Sequence, residues 1–203
     1  MRLTTPGIVL ALRAHGEHGA VVRLLTPGEG LVAAYVRGAR GRRMRPILMA
    51  GNLVEARLSA RTEAQLPQAE IELVRSRAPL LAEPLPAAAI AWATVLTARV
   101  LPERQPYPAL HSGLDGLLEA VANAPAASGW GPAMLGYELL LLAELGFGLE
   151  PDAVATAAAD WLPGLALTGR RLRRDLIDRT DEPAWDARLR LIDRLRRAAG
   201  LVA

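Results

Sequence analysis

The sequence contains no cysteine and no lysine among its 203 residues. Without cysteine there is no disulfide, no thiolate-ligated metal and no thiol chemistry. Without lysine there is no G-x-x-x-x-G-K-[ST] phosphate loop. The other phosphate-cradling pattern, G-x-G-x-x-G between a strand and a helix, is missing too. "GEGLV" and "GFGLE" hold two glycines each and read as a turn and a helix stop. Aromatic residues make up 4% of the chain, too few for a stacking platform of the single-strand-binding kind. No segment reaches 18 uninterrupted apolar residues. The richest, Met134–Gly148, carries Glu138 and Glu144 and reads as a buried core helix rather than a membrane span. The N-terminal stretch looks like a strand, not a secretory leader. A soluble, cytoplasmic protein without a cofactor is expected.

The basic residues are all arginine, 24 of them, and they are unevenly distributed. Residues 1–80 hold 12 Arg against 6 Glu, a net charge of +6. Residues 81–160 hold 2 Arg against 9 acids, net −7, and residues 161–203 hold 10 Arg against 6, net +4. A basic start, an acidic middle and a basic tail indicate two structural units with different partners.

Between Gly7 and Arg77 five runs rich in Val, Leu and Ile are separated by turns such as "TPGEG". The fourth run alternates cleanly, with Leu53, Glu55, Arg57 and Ser59 on one side and Val54, Ala56, Leu58 and Ala60 on the other. Five short strands can close into a barrel and remove their edges, so a small antiparallel barrel is expected. An OB-fold is the first choice and an SH3-like barrel the second. The Pro-rich joint "APLLAEPLPAAA" follows, and the periodicity then becomes helical. Helices are expected over Ala87–Leu101, over His111–Ala124 with Ser112 as N-cap, from Pro132 to a stop at Gly146 and Gly148, and over Glu182–Gly200. The last should bury Leu189, Ile192 and Leu195 and leave Arg194, Arg196 and Arg197 on a solvated face. The expected class is therefore α+β, with a barrel over residues 1–78 and an all-α helical domain over 79–203.

Catalytic constellations are missing. His15 and His18 flank Glu17 in "AHGEHGA", but with no further ligand they read as a solvated turn rather than a metal site. The carboxylates of the middle segment are spaced along helices with no two marked as facing each other, so they read as solvated or partner-facing. The chain is accordingly not expected to be an enzyme. The segment "YVRGARGRRMRP" is different, because Arg37, Arg40, Arg42, Arg43 and Arg45 crowd into it with glycines between them and few acids nearby. Guanidinium groups fork onto phosphate oxygens, so this mobile loop is expected to contact nucleic-acid backbone, with Tyr35 either stacking on a base or filling the barrel core. The run Arg170, Arg171, Arg173 and Arg174 either pairs with Asp175 and Asp178 or offers a second phosphate surface.

Three stretches resemble the RecO family of recombination-mediator and DNA-repair proteins. They are "LLTPGEGLVAAYVRGARGRRMRP", "RVLPE" closing the first long helix, and "YELLLLAELGFGLE". Over Gly7–Glu150 the resemblance implies an N-terminal OB-fold joined to a helical domain. It also implies binding to single- and double-stranded DNA, strand annealing, and work with RecR and single-stranded DNA-binding protein in the cytoplasm, at the nucleoid. Two departures stand out. Many relatives carry a four-cysteine zinc site where this chain reads "PDAVATAAADWLPG". Relatives often have a basic residue before the aromatic-Glu-Leu element, where this chain has Leu135 and Gly136. Contact with the acidic tail of the single-stranded DNA-binding protein is then either weaker or carried by arginines elsewhere, such as Arg99 or the 170–174 run. The alternatives are an RNA- or ribosome-binding OB protein, and an assembly adaptor that uses the acidic helical domain.

Overall fold

The computed structural model describes residues 2–62, 65–124, 126–178 and 180–200. Five strands come first: β1 (Arg2–His15), β2 (Gly19–Thr26), β3 (Gly30–Val36), β4 (Leu53–Ser59) and β5 (Gln68–Arg75). They close a barrel in the order β1-β2-β3-β5-β4, in which β1 pairs antiparallel with both β2 and β4. Closure needs one parallel contact, Tyr35 opposite Gln68 between β3 and β5. This is the OB-fold, and it leaves no free sheet edge at the closure. The alternation seen in the fourth run sets the pleat of β4. Val54, Ala56 and Leu58 enter the core, while Arg57 and Ser59 face out. They meet Val9, Val22, Leu24, Val32, Ala34 and Ile71 in one apolar cluster. The first strand begins earlier than the hydrophobic run suggests, because Arg2–Ile8 pair along the whole of β4.

Helices follow: α1 (Pro84–Val100), α2 (Pro108–Asn123), α3 (Ala127–Glu144), α4 (Pro151–Ala159), α5 (Trp161–Asp175) and α6 (Glu182–Ala198). Two compact units result, one of Met1–Ala82 with Thr94–His111, the other of Glu83–Ala93 with Ser112–Ala203. Several helix details depart from the sequence reading. The second helix starts at Pro108, so Ser112 lies inside it rather than capping it. The third starts a turn earlier than expected and carries Pro132 within it. Both α4 and α5 were unanticipated, although Asp160 caps α5 by accepting from the Leu162 N–H. In α6 the buried face is Ala184, Ala187, Arg188, Leu191 and Leu195, and Leu189 is half exposed. Gly146 does end α3 in the left-handed conformation (φ +82°).

Two of the family-like stretches meet inside the barrel unit. Thr26 closes the β2–β3 turn, its hydroxyl donating to the Gly30 carbonyl and accepting from the Glu29 N–H. The backbone of Gln105 rests directly on Gly30, which has φ +67° and no room for a side chain. Arg104 N–H donates to the Leu31 carbonyl. Arg23 donates to the Ala98 carbonyl at 2.7 Å and to Glu103 at 3.2 Å. "TPGEG" and "RVLPE" are therefore one packed element. Gly30→Ala must strain the left-handed backbone and displace Gln105, which is expected to destabilise the barrel unit by about 2–4 kcal/mol in chemical denaturation.

Candidate nucleic-acid interface

The segment after β3 is a folded loop rather than an open one. Gly41 N–H donates to Gly38 O, Met44 and Arg45 N–H to Gly41 O, and Ile47 and Leu48 N–H to Met44 O. Ala39 and Leu48 are buried, and Met44 and Ile47 pack against the barrel core. Asn52, fully buried, donates its side-chain amide to the carbonyls of Pro46 and Ile47 and accepts from the Arg77 N–H. Single apolar residues and one asparagine carry no sequence signal to match that of five clustered arginines. These anchors turn the apolar residues of the segment inward, so the guanidinium groups face water.

The five loop arginines take three positions. Arg37 and Arg43 line a groove of about 880 Å³ that runs over β1, β3, β4 and β5. Arg42 and Arg45 are exposed on the outer loop, and neither forms an ion pair among the described residues. Arg40 is committed to structure: its side chain donates to the Glu17 carbonyl at 3.1 Å and its N–H to the His18 carbonyl. That ties the loop to the β1–β2 turn, where His15 and His18 are exposed. Tyr35 lines the same groove, packed over Gly19, with its ring centroid 5.8 Å from that of His15 in an edge-on contact. Among the described residues no group of three or more His, Asp or Glu is arranged to hold a metal ion.

The groove also gathers residues that the sequence reading passed over. Arg2 and Arg57 line it, and Arg61 lines an adjoining cleft of about 670 Å³ that shares Arg2, Ser59 and Gln68. Their signal was the outward phase of β4 and the start of β1, where single charges stand among apolar residues. The surface is not uniformly basic. Glu70 and Glu72 line it as well, and Arg57 lies 3.0 Å from Glu72 and 3.7 Å from Glu55.

In the helical unit the 170–174 run is largely neutralised. Arg171 pairs with Asp175 at 2.9 Å in an i,i+4 bridge and also donates to the Phe147 carbonyl. Arg174 pairs with the other oxygen of Asp175 at 2.9 Å, and that hydrogen bond, helped by the carboxylate's charge, raises its pKa above the ordinary value. Arg173 reaches Glu182 at 3.3 Å and lies over the Trp185 ring, 5.1 Å from its centroid. Asp178 accepts from the backbone and hydroxyl of Thr180, which lowers its pKa. Arg170 alone of the four is exposed without an ion pair among the described residues.

The spacing of the middle-segment carboxylates predicts a solvated or partner-facing role, and Glu138 departs from it. It is fully buried in the helical unit. Its carboxylate accepts from Trp92 Nε1 at 2.7 Å, from the Thr168 hydroxyl and from Arg188 Nη2 at 3.1 Å. The stretch "PDAVATAAADWLPG" folds as α4 and the start of α5. Among the described residues no helix is long and apolar enough to cross a membrane.

A closed OB barrel with a cationic groove, followed by a helical unit, defines an OB-fold protein of the α+β class. The chain matches "Recombination protein O N terminal" over residues 1–77 and "Recombination protein O C terminal" over residues 84–197. It is similar to the DNA repair protein RecO of Rhodospirillum centenum, 38% identical over 192 residues that cover 94% of this chain and 75% of that one. It is also similar to the RecO of Phenylobacterium zucineum, 32% identical across 99% of this chain and all of the relative. The RecO of Rhodospirillum rubrum is 40% identical over 188 residues, 90% of this chain and 73% of the relative. The chain belongs to the RecO family, a family of DNA repair and recombination.

Proposed function

We propose that this chain binds the phosphate backbone of single- and double-stranded DNA and brings complementary strands together, with no chemical step of its own. The observation that carries the reading is the groove, where Arg2, Arg37, Arg43 and Arg57 converge beside Tyr35, with Arg42 and Arg45 standing free on the loop above. Guanidinium groups screen the repulsion between two phosphate backbones and hold the strands close enough to pair. Tyr35 supplies one ring for a base, so affinity rests on the backbone and depends weakly on sequence. Arg170 is the member of the second run with a guanidinium free for a further phosphate.

The resemblance to RecO gives this activity its setting, a mediator of recombination at gaps and double-strand breaks in the cytoplasm, at the nucleoid. RecR and single-stranded DNA-binding protein are its expected partners. The test is annealing of two complementary strands coated with single-stranded DNA-binding protein, in the absence of nucleotide. The chain is expected to accelerate duplex formation at least tenfold. No acceleration, or a clear preference for RNA over DNA of equal length, would overturn the reading and favour an RNA-binding OB protein.

A further inference from the structure

We propose that Arg57 is a phosphate-contacting residue held in check by Glu55 and Glu72, so that these two carboxylates set how tightly the groove holds a backbone. This rests on the groove being the nucleic-acid site. Arg57 stands on the outward face of β4, with Thr4 of β1 and Glu70 of β5 as its cross-strand partners. Glu55 lies directly opposite Glu72 in the same ladder. Facing like charges weaken a strand pair, and Arg57 bridges them, 3.0 Å from one and 3.7 Å from the other. All three side chains are about half exposed or more (51%, 46% and 64%), so the ion pairs are open to competition.

A carboxylate and a phosphate present the same paired oxygens to a guanidinium. A backbone entering the groove therefore competes with Glu72 and Glu55 for Arg57, while Arg2, Arg37 and Arg43 are uncontested by any ion pair among the described residues. Exposed ion pairs of this kind contribute little to stability. Their larger effect is to occupy the Arg57 guanidinium that an incoming phosphate would otherwise meet. An annealing protein must release the duplex it forms, and an internal competitor gives the groove a contact that exchanges easily.

The test is fluorescence anisotropy of the full chain with a 30-nucleotide oligothymidylate, run as a salt titration. Glu55→Gln/Glu72→Gln is expected to bind about five- to tenfold more tightly at 0.1 M salt and to steepen the salt slope by roughly 0.7, one added phosphate contact. Arg57→Gln alone should weaken binding by less than the roughly fivefold of an uncontested phosphate contact, because the two glutamates already answer part of its charge. Adding Arg57→Gln to the double variant should remove the gain. No gain in the double variant, or a gain that survives loss of Arg57, overturns the proposal. Neutralising the loop arginines in the same assay tests the groove itself. If that lowers affinity while the glutamate variants change nothing, only the present inference fails; if neither responds, both fail.

Discussion

Glu138→Ala is expected to destabilise the helical unit by about 3–5 kcal/mol, the cost of leaving Arg188 buried without its counter-charge. The geometry permits little relief. Both partners are buried, with side-chain exposures of 5% for Arg188 and 1% for Glu138. Arg188 Nη2 also donates to the Leu165 carbonyl, and its Nε has no hydrogen-bond partner among the described residues. Trp92 loses its acceptor in the same substitution, and the buried indole N–H left unsatisfied adds its own desolvation penalty, while the Thr168 hydroxyl can still donate to the Gly164 or Leu165 carbonyl. Glu138→Gln keeps one acceptor oxygen, for the indole or the hydroxyl but not both as they stand, and loses the charge, so it should fall between wild type and Glu138→Ala. A double change, Glu138→Leu with Arg188→Met, removes both charges and should recover part of the loss, because a buried ion pair is seldom worth more than the apolar packing that replaces it. Urea denaturation followed by tryptophan fluorescence reads all three. If Glu138→Ala costs no more than about 1 kcal/mol, as an exposed pair would, the network does not hold the helices together.

That network shows where sequence reading stops. In "YELLLLAE" a lone glutamate reads as the solvated side of a helix, since a buried carboxylate needs partners and none is near in sequence. Its partners are Trp92, Thr168 and Arg188, lying 46, 30 and 50 positions away on three other helices. The barrel was legible for the opposite reason. Its strands announce themselves by two-residue alternation and by Gly and Pro at the turns, which are local signals. The order of closure was not local, because it rests on a single parallel pairing of Tyr35 with Gln68. The alanine-rich α4 has no strong amphipathic period to announce it, while in α5 the crowded arginines of "TGRRLRRD" mask the buried face of Leu165, Thr168 and Leu172. At the groove the clustered arginines stood out while Arg2 and Arg57 did not, since isolated charges become a site only once β1 and β4 lie side by side.

The loop itself carries the prediction with the largest effect on binding. Arg37→Gln/Arg42→Gln/Arg43→Gln removes two cations from the groove and one from the outer loop, and spares Arg40, which holds the β1–β2 turn through the Glu17 carbonyl. The fold should survive, because Ala39, Met44, Ile47, Leu48 and Asn52 anchor the segment and none is touched. For single-stranded nucleic acid each phosphate neutralised contributes a slope of about 0.7 in log affinity against log salt, which is roughly fivefold in affinity at 0.1 M. Three lost contacts should weaken binding to an oligothymidylate about a hundredfold at 0.1 M salt and flatten the slope by about 2. Arg171→Gln/Arg173→Gln/Arg174→Gln removes the same formal charge from α5, but Asp175 and Glu182 already answer those guanidiniums, so its slope should change by less than about 1. Equal losses from the two triple variants would mean that affinity follows net charge alone. A loss confined to the loop variant ties it to the positions of Arg37 and Arg43 in the groove and Arg42 on the loop.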